Sequence, residues 1–220
     1  MNSNNYIVIG SSSELSKKFI EMNDNRIFYT ISTKEIATNR NLLVEDYIDD
    51  IDKIILFIQE IEYPTIVFFN GFLAENRPIK IPDIEEIEKT IKINYFIPLF
   101  LTSVISNKIN VKKFVYISSF AAIKPRKKNF IYAYSKKLLE NSISSMDINS
   151  YLFIRFGKIN TNFSSGHRSS IFDLEVETAA KSLSKKIDTK SGVIYPNLIT
   201  KFLSIIFNIL PTWVINKLNL

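Results

Sequence analysis

Short apolar runs and amphipathic stretches alternate along most of this chain. Residues 6–9, 27–31, 65–69, 114–117, 151–155 and 193–195 are rich in Ile, Val, Phe and Tyr. Runs of that length predict strands, and their near-continuous hydrophobicity suits a parallel sheet covered on both faces. Between them, residues 14–22, 48–61, 84–106, 132–145 and 174–186 repeat apolar side chains at helical spacing. The alternation predicts an α/β fold, a doubly wound parallel sheet in three α/β/α layers with right-handed crossovers. No repeat, low-complexity tract or linker divides the chain, so residues 1–197 are expected to form one domain.

Residues 198–220 depart from this rhythm. The stretch 202–216 is uncharged, bracketed by Lys201 and Lys217, and interrupted by Pro211. That falls short of the ~20 apolar residues needed to span a bilayer. A hydrophobic helical tail is predicted, and two placements stay open. It packs on the domain, as a cap or a dimer contact, or it lies at a membrane surface with Trp213 at the interface.

Composition narrows the chemistry. With 46% hydrophobic residues among 220, the chain can bury a substantial core. It has no cysteine and one histidine, His167, which argues against disulfides, thiolate or imidazole metal sites and a Ser-His-Asp triad. No metal is expected. The net charge of +6 is spread over lysines that often sit beside acids, as in Glu85-Glu86-Ile87-Glu88-Lys89, which suits a solvated surface better than a nucleic-acid footprint. The first residues are polar and uncharged and lead directly into an apolar run, unlike a secretory signal. A cytoplasmic protein is expected, with peripheral contact at the inner face of the membrane as the tail's second option.

In a doubly wound sheet the ligand sits beyond the carboxyl ends of the strands, where the winding reverses. Small and polar residues collect there: Gly10-Ser11-Ser12-Ser13-Glu14-Leu15-Ser16, Ser32-Thr33-Lys34, Asn70-Gly71, Ser118-Ser119 and Gly157-Lys158-Ile159-Asn160-Thr161. Further on, Tyr132 and Lys136 are four apart and share a helix face. A phenol titrating near ~10 is a poor acid at neutral pH, and a neighbouring ammonium stabilises its phenolate. A Tyr and a Lys at this spacing are expected about once by chance in a chain of this composition, so the pair matters only if other residues build a site around it.

The arrangement resembles the short-chain dehydrogenase/reductase family over roughly residues 5 to 196. Ser119 precedes Tyr132 by thirteen positions, Tyr132-Ala133-Tyr134-Ser135-Lys136 resembles the family's Tyr-x-x-Ser-Lys block, and Asn94 matches the asparagine of its tetrad. Arg155-Phe156-Gly157-Lys158-Ile159-Asn160-Thr161 resembles its Pro-Gly-x-Ile/Val-x-Thr segment. The resemblance implies a Rossmann fold and a carbonyl/alcohol oxidoreductase. In it Tyr132 is the acid/base, Ser119 orients the substrate oxygen, Lys136 tunes Tyr132 and holds the nicotinamide ribose, and Asn94 positions a water. It also implies a dinucleotide held by Gly10, Ser12, Ser13, Leu15, Ser32, Thr33, Lys34, Asp46, Asn70, Gly71, Tyr132, Lys136, Gly157, Ile159 and Thr161, and a homodimer or homotetramer.

Three segments depart from the family pattern. The first turn, usually Gly-x-x-x-Gly-x-Gly, has Glu14 and Ser16 at its second and third glycines. The Asn-Asn-Ala-Gly segment survives only as Phe68-Phe69-Asn70-Gly71, and Phe156 replaces the proline before Gly157. A carboxylate near a diphosphate is repulsive unless it turns away. The hydroxyls and Lys34 after the second run, with no acid before Glu35, favour NADP(H) over NAD(H). Residues 162–173 stand where the family has a mobile substrate lid, with His167 and Arg168 as groups for an anionic substrate, although a solvated loop explains two such residues better. Two functions stay open. One is an NADP(H)-preferring reductase acting on a small carbonyl or secondary alcohol, including keto-sugar and lipid-linked substrates. The other is a nucleotide-sensing or scaffold protein that keeps the fold without turnover.

Overall fold

Residue parity sorts the strand side chains into two cores. The structure, a computed structural model, describes residues 4–36, 40–73, 83–127, 129–164 and 173–217. The first half contains β1 (Asn5–Ile9), α1 (Glu14–Glu21), β2 (Ile27–Ser32), β3 (Asn41–Leu43), α2 (Ile51–Gln59), β4 (Thr65–Phe68), α3 (Ile84–Ile91) and α4 (Ile97–Lys108). The second half contains β5 (Lys113–Ser119), α5 (Phe130–Ser144), β6 (Tyr151–Phe156), β7 (Ile159–Asn160), β8 (Leu174–Glu175), α6 (Val176–Lys186), β9 (Gly192–Ile194), α7 (Leu198–Ile209) and α8 (Thr212–Lys217).

In β1, Ile7 and Ile9 enter one core with Ile66 and Phe68 of β4, against Ile54 and Ile58 of α2, Leu101 of α4 and Leu139 of α5. Tyr6 and Val8 point the other way, joining Val67 and Val115 against Phe19 of α1 and Leu183 of α6. Strands buried on both faces need no polar alternation, which is why these runs are apolar throughout.

The seven-stranded sheet runs β3-β2-β1-β4-β5-β6-β9, all pairs parallel. This is the expected doubly wound architecture. β1 pairs with β2 on one side and β4 on the other, so the winding reverses between β1 and β4. Gly10 closes β1 at that point with φ +77, and a Cβ there would stand 3.0 Å from the Asn70 main-chain nitrogen. Left-handed backbone and close approach both demand glycine. Gly10→Ala is expected to cost about 2 kcal/mol, read as a lower thermal midpoint, with an unchanged midpoint counting against the close approach.

Several elements differ from the sequence pattern. The stretch 84–106 is not one α-helix: a π-helical turn, Lys92–Phe96, separates α3 from α4, and the Ile97 N–H bonds the Lys92 carbonyl. Pro98 brings no N–H to the ladder, which removes the α-helical donor for the Asn94 carbonyl. Leu174 and Glu175 do not begin a helix but pair with Ile159 and Asn160, and α6 starts after them. The short β3 and the β7/β8 pair had no apolar run long enough to announce them. In the tail, α7 and α8 pack through Phe207 and Ile215 against Ile123, beside Phe120 and Leu210.

Candidate active site

The loop after each central strand contributes to one cleft of about 1000 Å³. Its walls bring together Gly10, Ser12, Ser13, Leu15, Thr33, Lys34, Asp46, Asn70, Gly71, Ser119, Tyr132, Lys136, Gly157, Ile159 and Thr161, residues more than a hundred positions apart. Two expected residues are not on the wall. Ser32 is fully buried and its hydroxyl donates to the Lys34 carbonyl at 2.6 Å, so it shapes the β2 loop from beneath. Asn94 is also fully buried, with Oδ1 accepting from the Phe72 N–H at 2.7 Å and Nδ2 donating to the Phe72 carbonyl at 2.8 Å. His167, Arg168 and most of the expected lid lie outside the described residues.

Serine replaces glycine productively in the first turn. Ser13 caps α1, its hydroxyl accepting from the Ser16 N–H at 3.1 Å. The Ser16 hydroxyl donates back to the carbonyls of Ser11 (2.8 Å) and Ser13 (2.7 Å), closing the turn on itself. Glu14 does not simply turn to solvent. Its carboxylate reaches across to the start of the segment after β7, where Oε1 accepts the Asn162 N–H at 2.8 Å.

Beside the switch point stands Tyr47, which sequence reading passed over as the neighbour of Asp46. Its ring is 7% exposed, and its hydroxyl bonds the main chains of Gly10 and Thr33 and the Asn70 side chain. Burial pushes its phenol up to about 12, so it stays neutral. Asn70 Oδ1 is buried without a partner among the described residues. An orphaned acceptor at the switch point is open to a donor such as a ribose hydroxyl. Asp46 accepts from Lys92 at 2.8 Å and from the Ile48 N–H at 2.7 Å, and the Lys92 ammonium with that amide holds its carboxyl below the usual range.

On α5, Tyr132, Lys136 and Glu140 follow one another at four-residue spacing on one face. Tyr132 is half-buried and hydrogen-bonded to Ser119; burial raises its phenol and the Ser119 bond opposes that rise. The Lys136 nitrogen lies 6.0 Å from the Tyr132 ring centre and donates to the carbonyls of Ile117 (3.1 Å) and Asn70 (3.3 Å). Burial pulls its ammonium down to about 8, against the Glu140 carboxylate, which raises it.

Glu140 was not singled out from sequence. Its carboxylate is 3% exposed, accepts the Ser118 hydroxyl at 2.6 Å and pairs with Arg155 through Nε at 3.0 Å and through the terminal nitrogen. Arg155 also donates to the Tyr195 hydroxyl at 2.9 Å. The signal available was the four-residue spacing from Lys136.

Geometrically, the cleft offers a hydrogen-bonded Ser/Tyr pair, a desolvated lysine behind it, and a glycine turn with an orphaned acceptor leading away. No protein-family model matches the chain, and no curated protein matches it. Among solved structures, a short-chain dehydrogenase from Burkholderia cenocepacia in complex with NADP superposes with a TM-score of 0.74 at 14% identity, covering 94% of this chain and 98% of that one. The carbonyl reductase Sniffer of D. melanogaster gives 0.72 at 14% identity, over 89% of this chain and 97% of that one. MoeE5 in complex with UDP-glucose and NAD gives 0.65 at 14% identity, over 87% of this chain and 75% of that one. The fold is that of these proteins.

Proposed function

We propose that this chain, built on the fold of the short-chain dehydrogenases/reductases, is an NAD(P)-dependent oxidoreductase of that family that prefers NADP(H). The observation carrying this reading is the convergence of Ser119, Tyr132 and Lys136 on one wall of a cleft that opens at the β1/β4 switch point. The residues present fit a dinucleotide. Gly10 lets the first turn pack against the Asn70 main chain at the mouth of the cleft, Asn70 Oδ1 awaits a donor, and Thr33 and Lys34 offer a hydroxyl and an ammonium for a 2′-phosphate. Gly157, Ile159 and Thr161 line the other end, beside Ser119.

When bound, the nicotinamide supplies hydride to a carbonyl carbon. Ser119 hydrogen-bonds the carbonyl oxygen and orients it, and Tyr132 gives its phenolic proton to that oxygen as negative charge develops. Lys136 stabilises the resulting phenolate and holds the ribose. Both polar atoms of the Asn94 side chain are taken by Phe72, so the Asn94 carbonyl, deprived of its α-helical donor by Pro98, is the group that would hold a water in line with Lys136. The substrate is a carbonyl or secondary alcohol, and the working form is a cytoplasmic homo-oligomer.

Fluorescence titration with NADPH and NADH tests the reading: saturable NADPH binding, tighter than NADH, is expected, and no binding of either would overturn it. A second reading, a nucleotide-sensing or scaffold protein without turnover, is favoured by Glu14, because a carboxylate lining the cleft near the expected diphosphate would weaken cofactor binding. Glu14→Ala is expected to tighten NADPH roughly three- to tenfold at low salt, with the gain shrinking as salt rises. An unchanged affinity would mean that the bond to Asn162 already holds the carboxylate clear.

A further inference from the structure

The outer face of α7 is more apolar than the face it packs with. Leu198, Phe202, Ile205 and Ile209 are 82%, 64%, 54% and 77% exposed, and Trp213 at the start of α8 is 65% exposed. The positions turned inward are Thr200, Ser204 and Phe207. A helix that buries hydroxyls and shows an apolar stripe has the reverse of the polarity that water selects.

The chain's unbalanced cations fall in two stretches of the sequence. Residues 120–129 contain Lys124, Arg126, Lys127 and Lys128, of which Lys124 and Arg126 line the cleft, and residues 192–220 contain Lys201 and Lys217, both exposed. Neither segment contains an acid. Of 28 cations these six leave 22, which matches the 22 acids, so the chain's net +6 belongs to two segments and the rest is neutral. The structure joins them. Lys124 donates to the carbonyls of Asn208, at 3.2 Å, and of Leu210 at the end of α7, and Phe120 meets Phe207 edge-on at 5.1 Å.

We propose that this face docks on an anionic lipid bilayer, with α7 lying in the interface plane. Its apolar stripe would enter the boundary between headgroups and acyl chains, and Trp213 and the flanking lysines would sit at headgroup depth. Among the described residues no helix is long and apolar enough to cross a membrane. A second copy is a poorer occupant, because pairing the same face would bring two acid-free cationic segments together, whereas an anionic surface attracts both. Phe207, on the inner side of α7, lines the cleft, so docking sets that wall of the cleft next to lipid.

The test is sedimentation of the full chain with phosphatidylcholine vesicles and with vesicles of three parts phosphatidylcholine to one part phosphatidylglycerol. Light scattering is run alongside, on wild type and on the triple variant Phe202→Ser, Ile205→Ser, Ile209→Ser. Wild type is expected to partition at least about tenfold better onto the anionic vesicles and to release with salt, and the variant, with an unchanged thermal midpoint, to lose about tenfold. Failure of wild type to bind anionic vesicles, or salt-independent binding equal on both vesicle types, overturns the proposal whatever the variant does. A dimer that the variant loses, with vesicles left unbound, assigns the face to a second copy instead.

Discussion

Tyr132→Phe is expected to lower kcat for NADPH-dependent carbonyl reduction by about 10²–10⁴-fold while leaving NADPH affinity nearly unchanged. The ring stays, so the packing of α5 at the cleft is kept, but the proton donor is gone. Ser119 then faces the developing alkoxide alone, which explains why some activity should survive. The pH profile separates this chemistry from a structural role. Burial brings the Lys136 ammonium to about 8, so the lysine loses its charge as pH rises through that value. The proposed reduction needs Tyr132 protonated and Lys136 charged, and on that proposal kcat/KM should be flat below about 8 and fall above it. A profile flat to pH 10 would remove Lys136 from the mechanism, and full activity in Tyr132→Phe would remove the tyrosine.

Glu140→Gln is the second substitution of large effect, and it acts at two levels. Removing the carboxylate strands the Arg155 guanidinium, whose side chain is only 18% exposed, without its counter-ion. An unpaired buried charge of this kind costs about 3 kcal/mol, which in a chain of this size lowers the thermal midpoint by roughly 6–12 °C. The same carboxylate holds the Lys136 ammonium up against desolvation, so its loss should also move the alkaline fall in kcat/KM to lower pH. A purely structural Glu140 would change the midpoint and leave that limb in place. Arg155→Met together with Glu140→Met removes both charges and should recover most of the stability, but not the position of the limb.

How far the sequence carries is visible in particular residues. Ile7, Ile9, Tyr6 and Val8 foretold a strand buried on both faces, because a run without polar alternation has no face for solvent. Gly10, Ser119, Tyr132 and Lys136 were legible because a turn, a strand end and a helix face are local and their spacing is fixed by geometry. Pro98 was in plain view, yet its effect depends on where the helix around it bends, and 84–106 read as one helix. Glu14 was read as a liability, since nothing local announces a partner 148 residues away at Asn162. Glu140 and Arg155 form an ion pair only because β6 lies beside β5, beneath α5, a matter of strand order and not of pattern. Tyr47 looked like an ordinary aromatic after a loop acid until the sheet placed its hydroxyl beneath the first turn.

The π-helical turn at Lys92–Phe96 sets the phase between two stretches of one rod. Each residue in an α-helix advances the side chain by about 100°, and a π turn absorbs one extra residue without breaking the axis. Removing a single residue there would close the turn to α-helical spacing and leave α3 and α4 nearly in their present phase. Thr90, now 3% exposed, would keep its burial, and Glu88 and Lys89 would keep their places on the cleft wall. The frame of the cleft thus carries one residue of slack: a one-codon deletion of Tyr95 or Phe96 would be taken up by the turn, and only a second deletion in this helix would rotate α3 by about 100°.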